Sequence, residues 1–241
     1  MADSKHRNDI YGDNPESGEA PPIPAATVVL LRMQGELEVL MLHKTSQIAF
    51  GGMWVFPGGR IDPEDYPADG DMDTAARNAA VRETREEAGI ESGAGDFVFF
   101  AHWTPPPGVP KRFATWFFAA ETDSHEVRID GGEIQDHQWL APAEALRRHA
   151  AGEIDLAPPT WVTLYDLSRA RDAGDALDRF RARGAPRVYE TRIGQRNDGV
   201  RVAMWIGDAG YAARDASLPG PRHRLNMAKG GFVFDHDAVA Y

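Results

Sequence analysis

Arg82-Glu83-Thr84-Arg85-Glu86-Glu87-Ala88-Gly89-Ile90 closes a run that starts at Thr74-Ala75-Ala76-Arg77-Asn78-Ala79-Ala80-Val81 and contains no helix breaker. The pattern predicts one helix across both segments, with Gly89 as its stop. Side chains three and four positions apart share a helix face, so Glu83, Glu86 and Glu87 fall on one patch. Like charges at that spacing oppose an isolated helix. Either the patch is a solvated acidic face, or it converges on something positive. A hard divalent cation with oxygen ligands, Mg²⁺ first, meets the second demand.

Upstream, Trp54-Val55-Phe56-Pro57-Gly58-Gly59 reads as a strand entering a Gly-rich turn whose backbone can face a ligand or ion. Taken in order, Gly59 and the stretch 82–90 resemble the signature of the Nudix hydrolases. That signature is Gly, five residues, Glu, seven residues, then Arg-Glu-U-x-Glu-Glu-x-Gly-U, with U aliphatic. The second half matches throughout except for Thr84 at the first U. In the first half the chain departs from the family. Counting back from Arg82 puts the family's first Glu on Thr74, and the interval from Gly59 is about nine residues too long. The extra segment, residues 62–73, is acidic with Pro and Gly and reads as a loop. Asp73 or Thr74 is then the expected N-cap. Asp65 keeps the family's distance from Gly59, so Asp65 or Asp73 is the candidate to replace the missing Glu, which in the family mostly fixes the loop.

The chain has 241 residues, enough for one large domain or a domain with an extension. Without cysteine it can have no disulfide, thiol catalysis or cysteine-bound zinc. A net charge of −11 argues against general nucleic-acid binding, whereas a bound metal could still attract an anionic small molecule. No apolar run approaches membrane-spanning length and the first residues lack an apolar leader, so a cytoplasmic location is expected. Residues 1–23 read as a mobile tail. Residues 25–32 and 37–42 read as a strand hairpin, and 43–52 as a loop beside the site. Residues 97–103 and 111–120 are strands around a Pro-rich loop. Residues 131–140 end in a short strand, and 142–149 form a helix. Beyond these, 160–183 reads as one or two amphipathic helices, with strands at 187–192, 200–206 and 231–235. The expected organisation is a tail (1–23), a Nudix domain (24–157) and a C-terminal α+β extension packed on the same domain (158–241).

The resemblance implies an α/β/α sandwich with a mixed β-sheet and cleavage of a diphosphate bond in a nucleoside diphosphate linked to another moiety. It implies Mg²⁺, with Mn²⁺ as the alternative, on the Gly58 carbonyl, Glu83, Glu86 and Glu87. Arg82 would orient Glu86, and Glu86 or else Glu133 would take the proton of the attacking water. Both Glu86 and Glu87 are expected to face a solvent-accessible cleft. Lys44, Arg60 and Arg112 are the candidate substrate cations, and Pro221-Arg222-His223-Arg224 is either a nucleotide clamp or a loop decoration. Trp103-x-Pro105 with the Pro-rich loop and Arg112-Phe113-Ala114-Thr115-Trp116-Phe117-Phe118 resembles a long-insert branch that includes coenzyme A diphosphatases. Coenzyme A or acyl-CoA is therefore the first substrate expected. ADP-ribose, NADH and a catalytically silent nucleotide sensor are the alternatives. The expected partner is a small nucleotide, with no nucleic acid and no membrane, and the extension leaves a homodimer open.

Overall fold

The computed structural model describes residues 21–45, 51–109, 111–124 and 126–241. Of the tail expected over 1–23, residues 1–20 lie outside the described residues, as do 46–50 of the expected loop. The strand β1 (Ile23–Gln34) has seven consecutive buried residues, the pattern of a strand covered on both faces. Along one edge it pairs in parallel with β6 (Phe113–Glu121). Its other edge is shared: residues 25–27 meet β4 (Gly58–Arg60) and residues 31–34 meet β2 (Glu36–Lys44), both antiparallel. The eight-stranded sheet runs β3 (Trp54–Val55), β2, β1, β6, β5 (Val98–Thr104), β8 (Arg187–Glu190), with β7 (Ile134–Leu140) also on β2. Since β1–β6 and β5–β8 are parallel and the rest antiparallel, the sheet is mixed.

One face is covered by α1 (Met72–Ala88). Its inward positions Ala75, Ala76, Ala79 and Ala80 are fully buried with Val28, Leu30 and Phe118, and methyl side chains let the helix lie close to the sheet. The helix starts earlier than expected. Its N-cap is Asp71, whose Oδ2 accepts the Thr74 N–H at 2.8 Å, and Asp73 lies in the first turn paired with Arg77. A carboxylate in either place complements the helix N-terminus, so sequence alone does not choose between them. Gly89 caps the other end in the left-handed region (φ 65°), its N–H donating to Arg85 O at 3.0 Å. Thr84, at the family's aliphatic position, is fully buried, and its hydroxyl donates to Ala80 O at 2.7 Å.

The other face carries α2 (Pro142–Ala151), α3 (Pro158–Leu167) and α4 (Ala173–Ala182), completing the α/β/α sandwich around an aromatic core. Phe100 stacks on Phe180 at 4.2 Å and Trp103 on Tyr189 at 3.7 Å.

Two expectations are corrected here. The strand read over 187–192 is two strands in different sheets. At Thr191 the chain leaves β8 and enters β9 (Arg192–Gln195), the edge of a four-stranded antiparallel sheet with β10 (Arg201–Met204), β11 (Arg224–Ala228) and β12 (Gly231–Asp235). The corner is held by the Thr191 N–H on Thr104 O at 2.9 Å and by Trp205 Nε1 donating to Thr191 Oγ1 at 3.1 Å. Second, His43 and Lys44 belong to β2 and not to a loop, because β7 and β3 give them strand partners. Among the described residues no helix is long and apolar enough to cross a membrane.

Candidate active site

The fork where β1 exchanges one partner for another places β4 against the C-terminal half of α1. Gly59 makes that approach possible: a Cβ there would stand 2.5 Å from Glu83 Cδ and 2.8 Å from its Oε2. Beside it, the Gly58 N–H donates to Glu87 Oε2 at 2.9 Å. Gly58 faces Thr27 between two hydrogen-bonded positions, as Val28 N to Pro57 O shows, so its polar groups stay outside the ladder with β1.

Arg82 is the hub. Its Nε and Nη2 grip Asp65 at 3.1 and 2.8 Å, and Nη2 also donates to Arg60 O at 3.0 Å. Its Nη1 reaches Glu83 at 2.8 Å and Glu86 at 3.2 Å. The extra segment is thus no free loop. Asp65 ends a short turn (Pro63–Asp65), accepts the Asp62 N–H at 2.8 Å, and its carbonyl accepts Asn78 Nδ2 at 2.9 Å. Of the two candidates for the missing Glu, Asp65 makes the loop-fixing contacts.

The electrostatics are those of an under-compensated acidic patch. Burial pushes Glu87 up to about 7, against the pull of the Lys44 charge and the Gly58 N–H. Burial also raises Glu83, opposed by Arg82. For Asp65 burial acts upward as well, but the Arg82 bonds and the Asp62 N–H outweigh it and hold the carboxyl below its usual range. Lys44 Nζ lies 3.2 Å from Glu87 and 3.6 Å from Glu133, bridging the two sides of the site. Glu86 and Glu133 are the open carboxylates, at 51% and 61% side-chain exposure. Glu87 does not share that openness; it lines the cleft from a buried position.

The cleft has a volume of about 900 Å³ and brings together Lys44, Gly58, Arg60, Arg82, Glu83, Glu86, Glu87 and Glu133. Arg60 lies on its rim, paired with Asp62 at 2.7 Å. Arg112 is directed onto Pro105 O at 3.1 and 3.2 Å, and its neighbour Lys111 lines the cleft. The basic run 221–224 is elsewhere, with Arg224 buried against Asp208. Sequence reasoning missed Asp62 and Asp130 on the cleft wall; Asp130 ahead of a Gly-Gly pair is a turn signal, and its carboxylate accepts the Glu133 and Ile134 N–H groups.

Among the described residues no three acidic side chains are gathered closely enough to hold a metal as they stand. Arg82 lies against Glu83 and Glu86, and Lys44 against Glu87. The donor chemistry nevertheless fits a hard cation: every candidate ligand is oxygen, and burial leaves the Glu83 and Glu87 charges short of compensation.

A mixed sheet between helices, with a carboxylate-bearing helix end turned into a cleft beside a Gly-Gly strand, defines the Nudix class of hydrolases. Residues 21–160 match the NUDIX domain family model, and the chain belongs to that family. It is a Nudix hydrolase of nucleoside diphosphate derivatives. A CTP pyrophosphohydrolase of Escherichia coli (strain K12) is 30% identical over 120 residues, half of this chain and 78% of that protein. An m7GpppN-mRNA hydrolase of Bos taurus is 24% identical over 135 residues, 48% of this chain and 40% of the relative. A NUDIX hydrolase structure from Alicyclobacillus acidocaldarius superposes with a TM-score of 0.59 at 24% identity, covering 67% of this chain and 97% of the other.

Proposed function

We propose that the enzyme uses Mg²⁺, with Mn²⁺ as an alternative, to hydrolyse the diphosphate bond of a nucleoside diphosphate joined to a second moiety, coenzyme A or acyl-CoA first. The observation that carries this reading is the convergence of Glu83, Glu86 and Glu87 on the cleft beside Gly58 and Gly59. Those three carboxylates and the Gly58 carbonyl would hold the cation, which when bound neutralises phosphate charge and polarises the bond to be broken.

The chain's own groups do the rest. Glu86 is the exposed carboxylate that Arg82 steadies, and so the first candidate to accept the proton of the attacking water. Glu133, open on the opposite side and next to Lys44, is the second. Lys44 and Arg60 would meet phosphate oxygens, and Arg112 would hold the Pro-rich loop through Pro105. The likeness to a CTP pyrophosphohydrolase supports a second reading, a nucleoside triphosphate with no second moiety.

The test is product analysis with Mg²⁺ and coenzyme A, ADP-ribose, NADH and CTP, with Glu86→Gln as control. Coenzyme A should give 3′,5′-ADP and 4′-phosphopantetheine, and the variant should lose about a hundredfold or more of turnover. AMP from ADP-ribose or NADH, or CMP from CTP, would retain the chemistry and discard coenzyme A. Binding without any product would leave a silent nucleotide sensor.

A further inference from the structure

The cleft is chemically two-sided. On the β4 side it carries the carboxylates and cations already described. Beyond β1, the wall is built by Trp103, Phe113 and Phe117 of the sheet, and by Pro159, Thr160 and Thr191 of the later chain. Lys111 is the one charged side chain among the described residues of this far wall.

Strand register measures the separation. Gly58 is paired with Thr27 and Thr27 with Phe117, while Arg60, Ala25, Thr115 and Trp103 form a second row. With neighbouring strands about 4.8 Å apart, Phe117 lies about 10 Å and Trp103 about 14 Å from β4. The residues between are small, Ala25 and Thr27, so a ligand can cross the floor of the cleft from one half to the other. A group attached to the cleaved diphosphate would therefore reach the far wall.

The first turn of α3 adds a selection rule. A helix N-terminus usually offers free N–H groups to an anion. Here the first two helical positions are Pro158 and Pro159, which carry no N–H. Pro159 and Thr160 both line the cleft, so Thr160 is the first helical residue there that keeps an N–H. A second phosphate would find only the Thr160 N–H and hydroxyl on this turn, whereas an uncharged chain or ring can pack against proline, phenylalanine and threonine methyls.

We infer that the far half of the cleft is a subsite for an uncharged, largely apolar arm carried on the diphosphate, and that the start of α3, through Pro159 and Thr160, determines the preference for it. The inference rests on the diphosphate reading above and adds the class of the attached moiety.

The experiment is calorimetric binding to the full-length protein, with Mg²⁺, of adenosine 5′-(α,β-methylene)diphosphate β-esters bearing methyl, n-hexyl or 2-phosphoethyl arms. The hexyl ester should bind about tenfold or more tighter than the methyl ester, and the phosphoethyl ester no tighter. Thr160→Glu should bring the hexyl-to-methyl ratio close to one, while Thr160→Val should keep it. Melting curves check that both variants fold, and Phe113→Ser tests the same wall should Thr160→Glu not fold. A ratio near one in the unaltered enzyme, a ratio unchanged by Thr160→Glu, a preference for the phosphoethyl arm, or no binding at all would overturn the subsite. Turnover of the oxygen-bridged counterparts is scored separately. Arm-dependent binding with no turnover would leave the subsite standing and defeat the hydrolytic reading.

Discussion

A methyl group at position 59 would meet the Glu83 carboxylate, 2.5 Å from its carbon, in space where no real Cβ fits. Glu83 must then shift from the position in which Arg82 Nη1 holds it. Gly59→Ala is thus expected to raise the Mg²⁺ concentration needed for half-maximal turnover by about tenfold or more. Its melting temperature should change little, because the strain falls on a side chain at the edge of the cleft. Unchanged Mg²⁺ dependence in a titration of initial rates would refute the placement of Glu83. Thr84 is the opposite case. It is a departure from the family pattern that costs little, because its buried hydroxyl is bonded to Ala80 O. Thr84→Val removes donor and bond together, so urea unfolding should show a change within about 1 kcal/mol. A larger loss would mean the hydroxyl has a further role.

Among the elements, the second sheet has a polar anchor of its own. Asp208 accepts Arg224 Nε and Nη2 at 2.6 and 2.5 Å, and also the His223 and Gly210 N–H groups. Both side chains of the ion pair are buried. Burial acts to raise the Asp208 carboxyl, but Arg224 and the two backbone donors outweigh it, so it lies below its ordinary value. A depressed carboxyl contributes stability above its unfolded pKa, and that contribution is lost as pH falls through the folded value. The window therefore lies below about pH 3.9. Asp208→Asn leaves Arg224 buried without its counter-charge and should cost about 3–5 kcal/mol at neutral pH. Urea melts of both proteins at pH 3 and pH 7 check this, since the variant should lose less than the parent over the acid step. Equal acid sensitivity would assign the effect to other carboxylates.

For the molecule as a whole, the issue is whether residues 21–157, nearly all of the segment matching the family model, can fold without residues 158–241. Phe100 and Trp103 rest on Phe180 and Tyr189, which come from α4 and β8. Trp161, Leu164, Leu167 and Trp205 fill the same core. Losing one large buried side chain costs about 3–5 kcal/mol, and a domain has only about 5–15 kcal/mol in total. A fragment of residues 21–157 is accordingly expected not to fold, giving weak near-ultraviolet dichroism and aggregation on gel filtration. A soluble fragment with a sharp thermal transition would show that residues 158–241 form a separable layer.

Although only the fold shows that Gly58 and Gly59 form a strand, β4, and not the turn expected, the sequence by itself determined the helix that stops at Gly89, its three carboxylates and the position of the Gly pair before them. These depend on local periodicity and on a short ordered motif, and both survive without knowledge of the rest of the chain. Most strands and the helical character of residues 160–183 were legible for the same reason, whereas the fold decided that this stretch is two helices. Tertiary structure alone decided the rest. Several aspartates competed to cap α1 and fix the loop, and only the fold shows Asp71 on Thr74 and Asp65 on Arg82. The strand pattern across 187–192 could not reveal that Thr191 turns a corner, because Thr104 and Trp205 hold it from distant parts of the chain. The far wall of the cleft is likewise assembled from residues near 103, 115, 160 and 191. No periodicity links those positions; the packing of β5, β6 and α3 around one core places them together.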